Sequence, residues 1–302
     1  MSILVVGSAA LDDIETPFGT VRGVLGGSSI YAAAAASLFC PVNLVAVVGE
    51  DLPASRYAFL AERGVDLTGL QVRPGKTFHW AGRYDYDLNQ THTLTTELNV
   101  FADFQPVLPP AYRQSAFVFL ANIQPGLQRA VLGQVQQPQL TLLDSMNLWI
   151  ESARAELTQA LAAVDLVSLN EAEVRLFAGT SSVVTAARRL LALGPKGVLV
   201  KKGEYGVVLF SAQDYFACPA YPLEEVYDPT GAGDSFAGGF LGALAEAGEV
   251  SAASLRRAVL YGSAVASFTV QAFGVERLTT LRRAEVDERC RAFQRMTQVG
   301  AL

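Results

Sequence analysis

Asp228-Pro229-Thr230-Gly231-Ala232-Gly233-Asp234 runs straight into Ser235-Phe236-Ala237-Gly238-Gly239-Phe240-Leu241, opening an apolar, small-residue helix that extends through Ala247. Pro229, Gly231 and Gly233 suit a tight turn. Gly238, Gly239 and Gly242 weaken a helix unless close packing requires them, so the helix is expected to be buried. The first amides of such a helix have no partner within it and carry the positive end of its dipole. Gly231, Ala232 and Gly233 therefore offer N–H groups to an anion with no side chain in the way. One step later, Asp234 stands where a carboxylate can take the proton of a hydroxyl docked beside that anion. Glycine and aspartate also begin helices purely as caps, so the turn alone leaves both readings open.

Upstream, the hydrophobic pattern is that of a buried parallel sheet. Ile3–Val6 reads as a strand ending at Gly7-Ser8. Gly26-Gly27-Ser28-Ser29 leads into an alanine-rich helix over 30–39, and an apolar strand over 42–48 follows. Strands at 117–120, 140–143, 166–169 and 198–200, with helices at 153–163 and 185–193, continue the alternation of an α/β fold whose strands are covered on both faces. Two segments break this rhythm and read as strands with one wet face: 76–100, rich in aromatics and threonine with a turn near 87–90, and 14–24, turning at Gly19. Hairpins inserted after early strands project beyond the carboxyl ends of the sheet, where such sheets bind ligands. Residues 1–302 are thus expected to form a single domain with a β lid over about 12–24 and 76–101; surface decoration or a homodimer contact is the other use for such hairpins. Phe78, Trp80, Tyr84 and Tyr86 alternate along one lid strand and are expected to share a face, either burying the hairpin or stacking a nucleobase.

The 302 residues are 51% hydrophobic, enough to fill a large core, and carry a net charge of −6. With no basic stretch, that balance excludes nucleic acid as a general partner. Residues 3–11 are apolar but short, lack a positive leader and run into Asp12-Asp13-Ile14-Glu15, so no membrane association is expected. Cys40, Cys218 and Cys290 form no CxxC pairing and read as the reduced thiols of a cytoplasmic protein. His79 and His92, the only histidines, are too few for a metal site and read as strand surface residues.

The segment 228–234 resembles the second signature of the ribokinase family, the PfkB carbohydrate kinases, whose pattern is approximately D-T-x-G-A-G-D ahead of a small-residue helix. Gly26-Gly27 before an alanine-rich helix resembles the first signature, and Gly7-Ser8-Ala9-Ala10-Leu11-Asp12 the opening strand with its substrate-contacting aspartate. Asn170-Glu171-Ala172-Glu173 is similar to the N-x-x-E element, and Val200-Lys201-Lys202-Gly203-Glu204-Tyr205-Gly206 to the nucleotide-contacting strand and turn. Asp144-Ser145-Met146-Asn147-Leu148-Trp149 is similar to the D-x-N...L-W segment of several sugar kinases in the family.

The order of these elements agrees over nearly the whole chain. The resemblance implies a ribokinase-like three-layer α/β fold with a mostly parallel central sheet and a small β lid. It also implies an ATP-dependent phosphotransferase that moves the γ-phosphoryl to a primary hydroxyl of a sugar or sugar-like small molecule. By resemblance Asp234 is the base, and the amides of Gly231, Ala232 and Gly233 stabilise charge on the phosphoryl. Asn170 and Glu173 hold waters around Mg²⁺, although their spacing is also that of a capping box. Lys201, Gly203 and Gly206 approach the nucleotide, with Lys201 nearer the phosphates. Gly262, Ser263 and Ala266 lie under the adenine, unless their smallness serves helix packing. Asp12, Gly26 and Gly27 meet the substrate hydroxyls, and Asp228 matches a position that in many relatives helps bind a potassium-like ion.

One departure matters. In ribose-using relatives the Gly-Gly signature continues to an asparagine that contacts the sugar, whereas here Gly26-Gly27-Ser28-Ser29-Ile30-Tyr31-Ala32 places Tyr31 at that point. This leaves room for an acceptor with an apolar or aromatic part, and an adenosine- or cytidine-type nucleoside kinase is the alternative reading. Sugar-phosphate kinases rank third, because Arg22 and Arg83 are the only nearby cations. Retention of Asp234, Asn170 and Glu173 speaks against a non-catalytic ligand sensor, and a first turn without G-x-G-x-x-G speaks against a dinucleotide-dependent oxidoreductase.

Overall fold

Ile3 and Val5 belong to one apolar cluster, Leu4 and Val6 to another, and all four are fully buried. Successive strand residues face opposite ways, so this strand is covered on both sides. In the computed structural model, which describes residues 1–298, it is the first of 13 strands. Nine form the main sheet: β1 (Ile3–Val6), β4 (Val42–Gly49), β5 (Val65–Arg73), β8 (Phe117–Leu120), β9 (Leu140–Asp144), β10 (Leu166–Asn170), β11 (Gly197–Lys201), β12 (Val207–Ser211) and β13 (Tyr215–Cys218). Their order is β13-β12-β11-β10-β9-β8-β1-β4-β5, with parallel pairing except at β11–β12 and β12–β13.

The helices are α1 (Ser28–Ala36), α2 (Ala58–Glu62), α3 (Pro125–Leu132), α4 (Asn147–Ser152), α5 (Arg154–Leu161), α6 (Glu171–Ala178), α7 (Val183–Leu191), α8 (Ala232–Ala247), α9 (Ala252–Thr269), α10 (Glu276–Thr280) and α11 (Arg283–Thr297). Core side chains of α1, α8, α9 and α11 join the Ile3/Val5 cluster, and those of α3, α5, α6 and α7 join the Leu4/Val6 cluster. Helix, sheet, helix makes three layers. The glycines of α8 have the packing their sequence demanded. A β-carbon on Gly238 would stand 2.2 Å from the Ala32 carbonyl oxygen of α1, and one on Gly239 would stand 3.2 Å from the Gly262 α-carbon of α9. These close approaches fix the N-terminus of α8 beside that of α1.

The remaining strands, β2 (Ala10–Thr16), β3 (Gly19–Gly26), β6 (Phe78–Tyr84) and β7 (Thr91–Glu97), form a second sheet in the order β3-β2-β6-β7. They arise from the two segments that broke the α/β rhythm, with β2 beginning at Ala10. The expected shared aromatic face does not form. A register shift between Ala81 and Gly82 interrupts the alternation, the strand ends at Tyr84, and Tyr86 lies beyond it, 86% exposed. Phe78 stacks on Phe101 at 5.3 Å, Trp80 lies across Gly82, and Tyr84 turns toward the helix α8 turn.

Among the described residues no helix is long and apolar enough to cross a membrane, and no cluster of His, Cys, Asp and Glu could hold a metal ion. The three cysteines are free. His79 and His92 lie on the small sheet, beside Asp13 and Asp85.

Candidate active site

Gly231 caps α8 in the left-handed conformation, at φ 74° and ψ 0°, with no side chain capping the helix. The Tyr31 ring fills the space beside it: a β-carbon on Gly231 would lie 2.4 Å from three ring atoms. The Ala232 amide closes the turn onto the Pro229 carbonyl at 3.2 Å, so it is less free than the sequence suggested. The amides of Gly231, Gly233 and Asp234 have no partner among the described residues. Such amides at a helix N-terminus make an anion site. Asp228, fully buried, clamps the turn from below, accepting from the Thr230 amide at 2.8 Å and from the Gly274 amide at 2.9 Å. Burial holds its carboxyl above the usual range.

Asp234 occupies the first turn of α8, beside these amides. Burial foremost and the Asp144 carboxylate next push it up to about 7, against the pull of the Lys201 ammonium. As a general base Asp234 would act unprotonated. The kcat/KM for the acceptor, which reports the free enzyme, is therefore expected to rise through about pH 7 and level off above it. An acid limb centred near 4 in the pH profile would show that Asp234 titrates as an ordinary carboxylate.

The ends of three adjacent strands supply the rest of the charge. Asp144 ends β9, Asn170 ends β10 and Lys201 ends β11, with Asn170 and Lys201 paired in register. Lys201 Nζ donates to Asp144 Oδ2 at 2.6 Å. Asn170 caps α6 in a complete capping box, accepting from the Glu173 amide at 2.8 Å while its own amide donates to Glu173 Oε2 at 2.7 Å. That geometry leaves Asn170 and Glu173 on one helix end with further lone pairs available. Desolvation chiefly raises Glu173, opposed by Lys201, to about 7. A hard cation bound through water suits this oxygen pair, whose capping geometry is already formed.

A cavity of 630 Å³ opens beside Gly233 and is lined by Asn170, Lys201, Gly203, Gly206, Ser263 and Ala266. Its size falls within the range of roughly 300–1,000 Å³ that small-molecule and cofactor sites occupy. Gly262 is not part of this lining. It faces α8, where a β-carbon would meet the Phe236 carbonyl oxygen at 2.7 Å, so its smallness serves helix packing. Three residues that sequence reasoning gave no role also line the cavity: Asp87, Leu88 and Asn89, at the tip of the β6–β7 hairpin. Asn89 approaches Glu204 at 3.5 Å.

Asp12, Gly26, Gly27 and Tyr31 gather on the other side of the α8 turn. Asp12 is 4% exposed, and its Oδ2 would be only 1.9 Å from a β-carbon at Gly26. Burial first, then Asp228 and Asp234, push Asp12 up to about 8. Gly27, at φ 94°, lets the chain pass against Ser8 and Ala10. The Tyr31 hydroxyl is buried without a hydrogen-bond partner. Thr230 Oγ1 donates to the Tyr84 hydroxyl at 3.0 Å, tying β6 to the α8 turn.

Free amides at a helix N-terminus, a half-buried carboxylate beside them and a cavity at the carboxyl ends of a parallel sheet stand where such folds bind ligands. The family model for pfkB family carbohydrate kinases matches residues 3–280, so the chain belongs to that family and is a kinase. It is 31% identical over 248 residues to the cytidine kinase of Thermococcus kodakarensis, covering 80% of this chain and 87% of that protein. With the nucleoside kinase of Methanothermobacter thermautotrophicus it shares 28% identity over 91% of each chain. The crystal structure of the Methanocaldococcus jannaschii nucleoside kinase, an archaeal member of the ribokinase family, matches at a TM-score of 0.77 and 22% identity, covering 96% of this chain and 98% of that one. The fold is ribokinase-like, a large mostly parallel sheet between helices with a small second sheet.

Proposed function

We propose that this kinase transfers the γ-phosphoryl of ATP to the primary hydroxyl of a nucleoside, with Asp234 as general base. The observation that carries the reading is the position of Asp234 between two half-sites: the cavity with Asn170, Lys201 and Gly233 on one side, Asp12 and Tyr31 on the other. The acceptor oxygen attacks the γ-phosphorus while its proton passes to Asp234, and the bond to the β,γ-bridging oxygen breaks, leaving ADP. Amides at the start of α8 meet the charge on the phosphoryl oxygens. Magnesium would neutralise the nucleotide phosphates when bound, and Asn170 and Glu173 are the residues that would hold it through water. The sheet β3-β2-β6-β7 acts as a lid that excludes water, with Tyr84 its link to the transfer turn.

The two relatives are named for cytidine and nucleoside phosphorylation, and Tyr31 stands where ribose-using relatives carry asparagine. Both support a nucleoside over a free sugar. Arg22 and Arg83 are exposed, which leaves a second phosphate on the acceptor without a buried cation. Coupled ADP release across ribose, fructose, 2-keto-3-deoxygluconate, inositol, adenosine and cytidine tests the choice. The highest kcat/KM is expected for a nucleoside; a higher value for a free sugar would overturn it.

Glu173→Gln keeps the capping geometry, since glutamine serves in the same box, but removes a charge. The magnesium concentration for half-maximal turnover is expected to rise ~10-fold. An unchanged magnesium titration would remove Glu173 from that role.

A further inference from the structure

Lys201 is a buried lysine whose placement exceeds what holding a nucleotide requires. It ends β11, Asp144 ends β9, and β10 lies between them, so the lysine side chain reaches across a whole strand to its partner. Both side chains are enclosed, at 17% and 6% exposure. The second oxygen of Asp144 accepts from the Ser145 amide at 2.8 Å, which fixes the carboxylate that fixes the lysine. Burying two charges costs about as much desolvation as their attraction returns, so an apolar pair would hold these strand ends equally well. Stability does not account for the pair.

Its location does. Nζ lies 2.9 Å from the point where a β-carbon on Gly233 would stand, over the amide turn at the start of α8. The ammonium is thus anchored at the transfer point, and Lys201 is the one cationic side chain lining the cavity among the described residues. We propose that Lys201 is a catalytic residue whose ammonium neutralises the phosphoryl group in flight, and that Asp144 is a positioning residue that holds it over the Gly231–Gly233 turn. This rests on the reading of that turn as the transfer site. Lys201 keeps its protons throughout: the acceptor proton goes to Asp234, the new bond forms between acceptor oxygen and γ-phosphorus, and the electron pair of the broken bond leaves with ADP. A preorganised charge aimed at the group in transit acts on kcat, whereas one that only grips bound nucleotide acts on KM.

The test compares the full chain with Lys201→Met, Asp144→Asn and the double variant, using MgATP and whichever of cytidine, adenosine, ribose and fructose gives the fastest turnover. Lys201→Met is expected to lower kcat by ~10²–10³-fold with the ATP KM within ~3-fold. Asp144→Asn is expected to lower kcat by ~10-fold alone, but by less than ~2-fold when Lys201 is already methionine, because it acts through that lysine. A raised ATP KM with normal kcat, or losses that multiply in the double variant, would overturn the proposal. The pair Lys201→Met/Asp144→Leu removes both charges and is expected to melt no lower than the wild type. If it nevertheless turns over normally, the proposal also fails. A wild type without acceptor-dependent turnover sinks the proposed function and this inference together; a wild type that turns over beside an equally fast Lys201→Met sinks only the inference.

Discussion

Asp234→Asn is expected to lower kcat about 10³-fold while ATP affinity changes no more than ~3-fold. General bases contribute roughly 10²–10⁴ to rate, and the carboxamide keeps the shape of the side chain while losing its ability to accept the proton. The fold should not suffer. The folded value of Asp234, about 7, lies above the ordinary 3.8, so its ionisation costs stability progressively as the pH rises from about 3.8 to about 7, and the full cost is present above that. Removing that charge leaves stability at pH 8 unchanged or improved. Steady-state turnover beside ATP binding by calorimetry separates the outcomes, and near-normal kcat in the variant would remove Asp234 from the chemistry.

Gly231→Ala should damage both fold and activity. At φ 74° an alanine pays roughly 1 kcal/mol in backbone conformation alone. Its β-carbon would also lie 2.4 Å from the fully buried Tyr31 ring. Overpacking of this kind costs about 1–3 kcal/mol. Relief requires the turn to move, and the amides move with it, so kcat is expected to fall ~10²-fold. Thermal melting and turnover of one preparation check both effects. Unaltered kcat would mean that the turn does not hold the phosphoryl.

Much of this site was legible because its pieces are local. The turn 228–234 and the Asn170–Glu173 box draw most of their geometry from residues a few positions apart, and short-range rules reach that far; Gly26-Gly27 was legible only as a motif, since its close approach is to Ser8, Ala10 and Asp12. Both readings of Asn170 and Glu173 remain compatible, since the capping bonds leave oxygens for solvent or water-bound metal. Asp144 was visible in the sequence, but its partnership with Lys201 depends on strand order, which brings together residues 57 positions apart. The tip at Asp87 to Asn89 was seen as a turn, yet only the path of β6 and β7 places it over the cavity. Gly262 illustrates helix phase: its neighbour Ser263 faces the cavity while Gly262 faces α8. Phe78, Trp80, Tyr84 and Tyr86 failed as a group because one register shift and one strand end undo an alternation that spacing alone suggests.

The fate of a labelled γ-phosphoryl tests phosphotransfer most directly. ATP labelled at that position is mixed with enzyme and magnesium, with cytidine, adenosine or ribose or with no acceptor, and the products are separated. Label is expected in a nucleoside phosphomonoester, with little inorganic phosphate formed in the absence of acceptor. Label appearing only as inorganic phosphate, or remaining in ATP with every acceptor, would contradict transfer to a hydroxyl at Asp234.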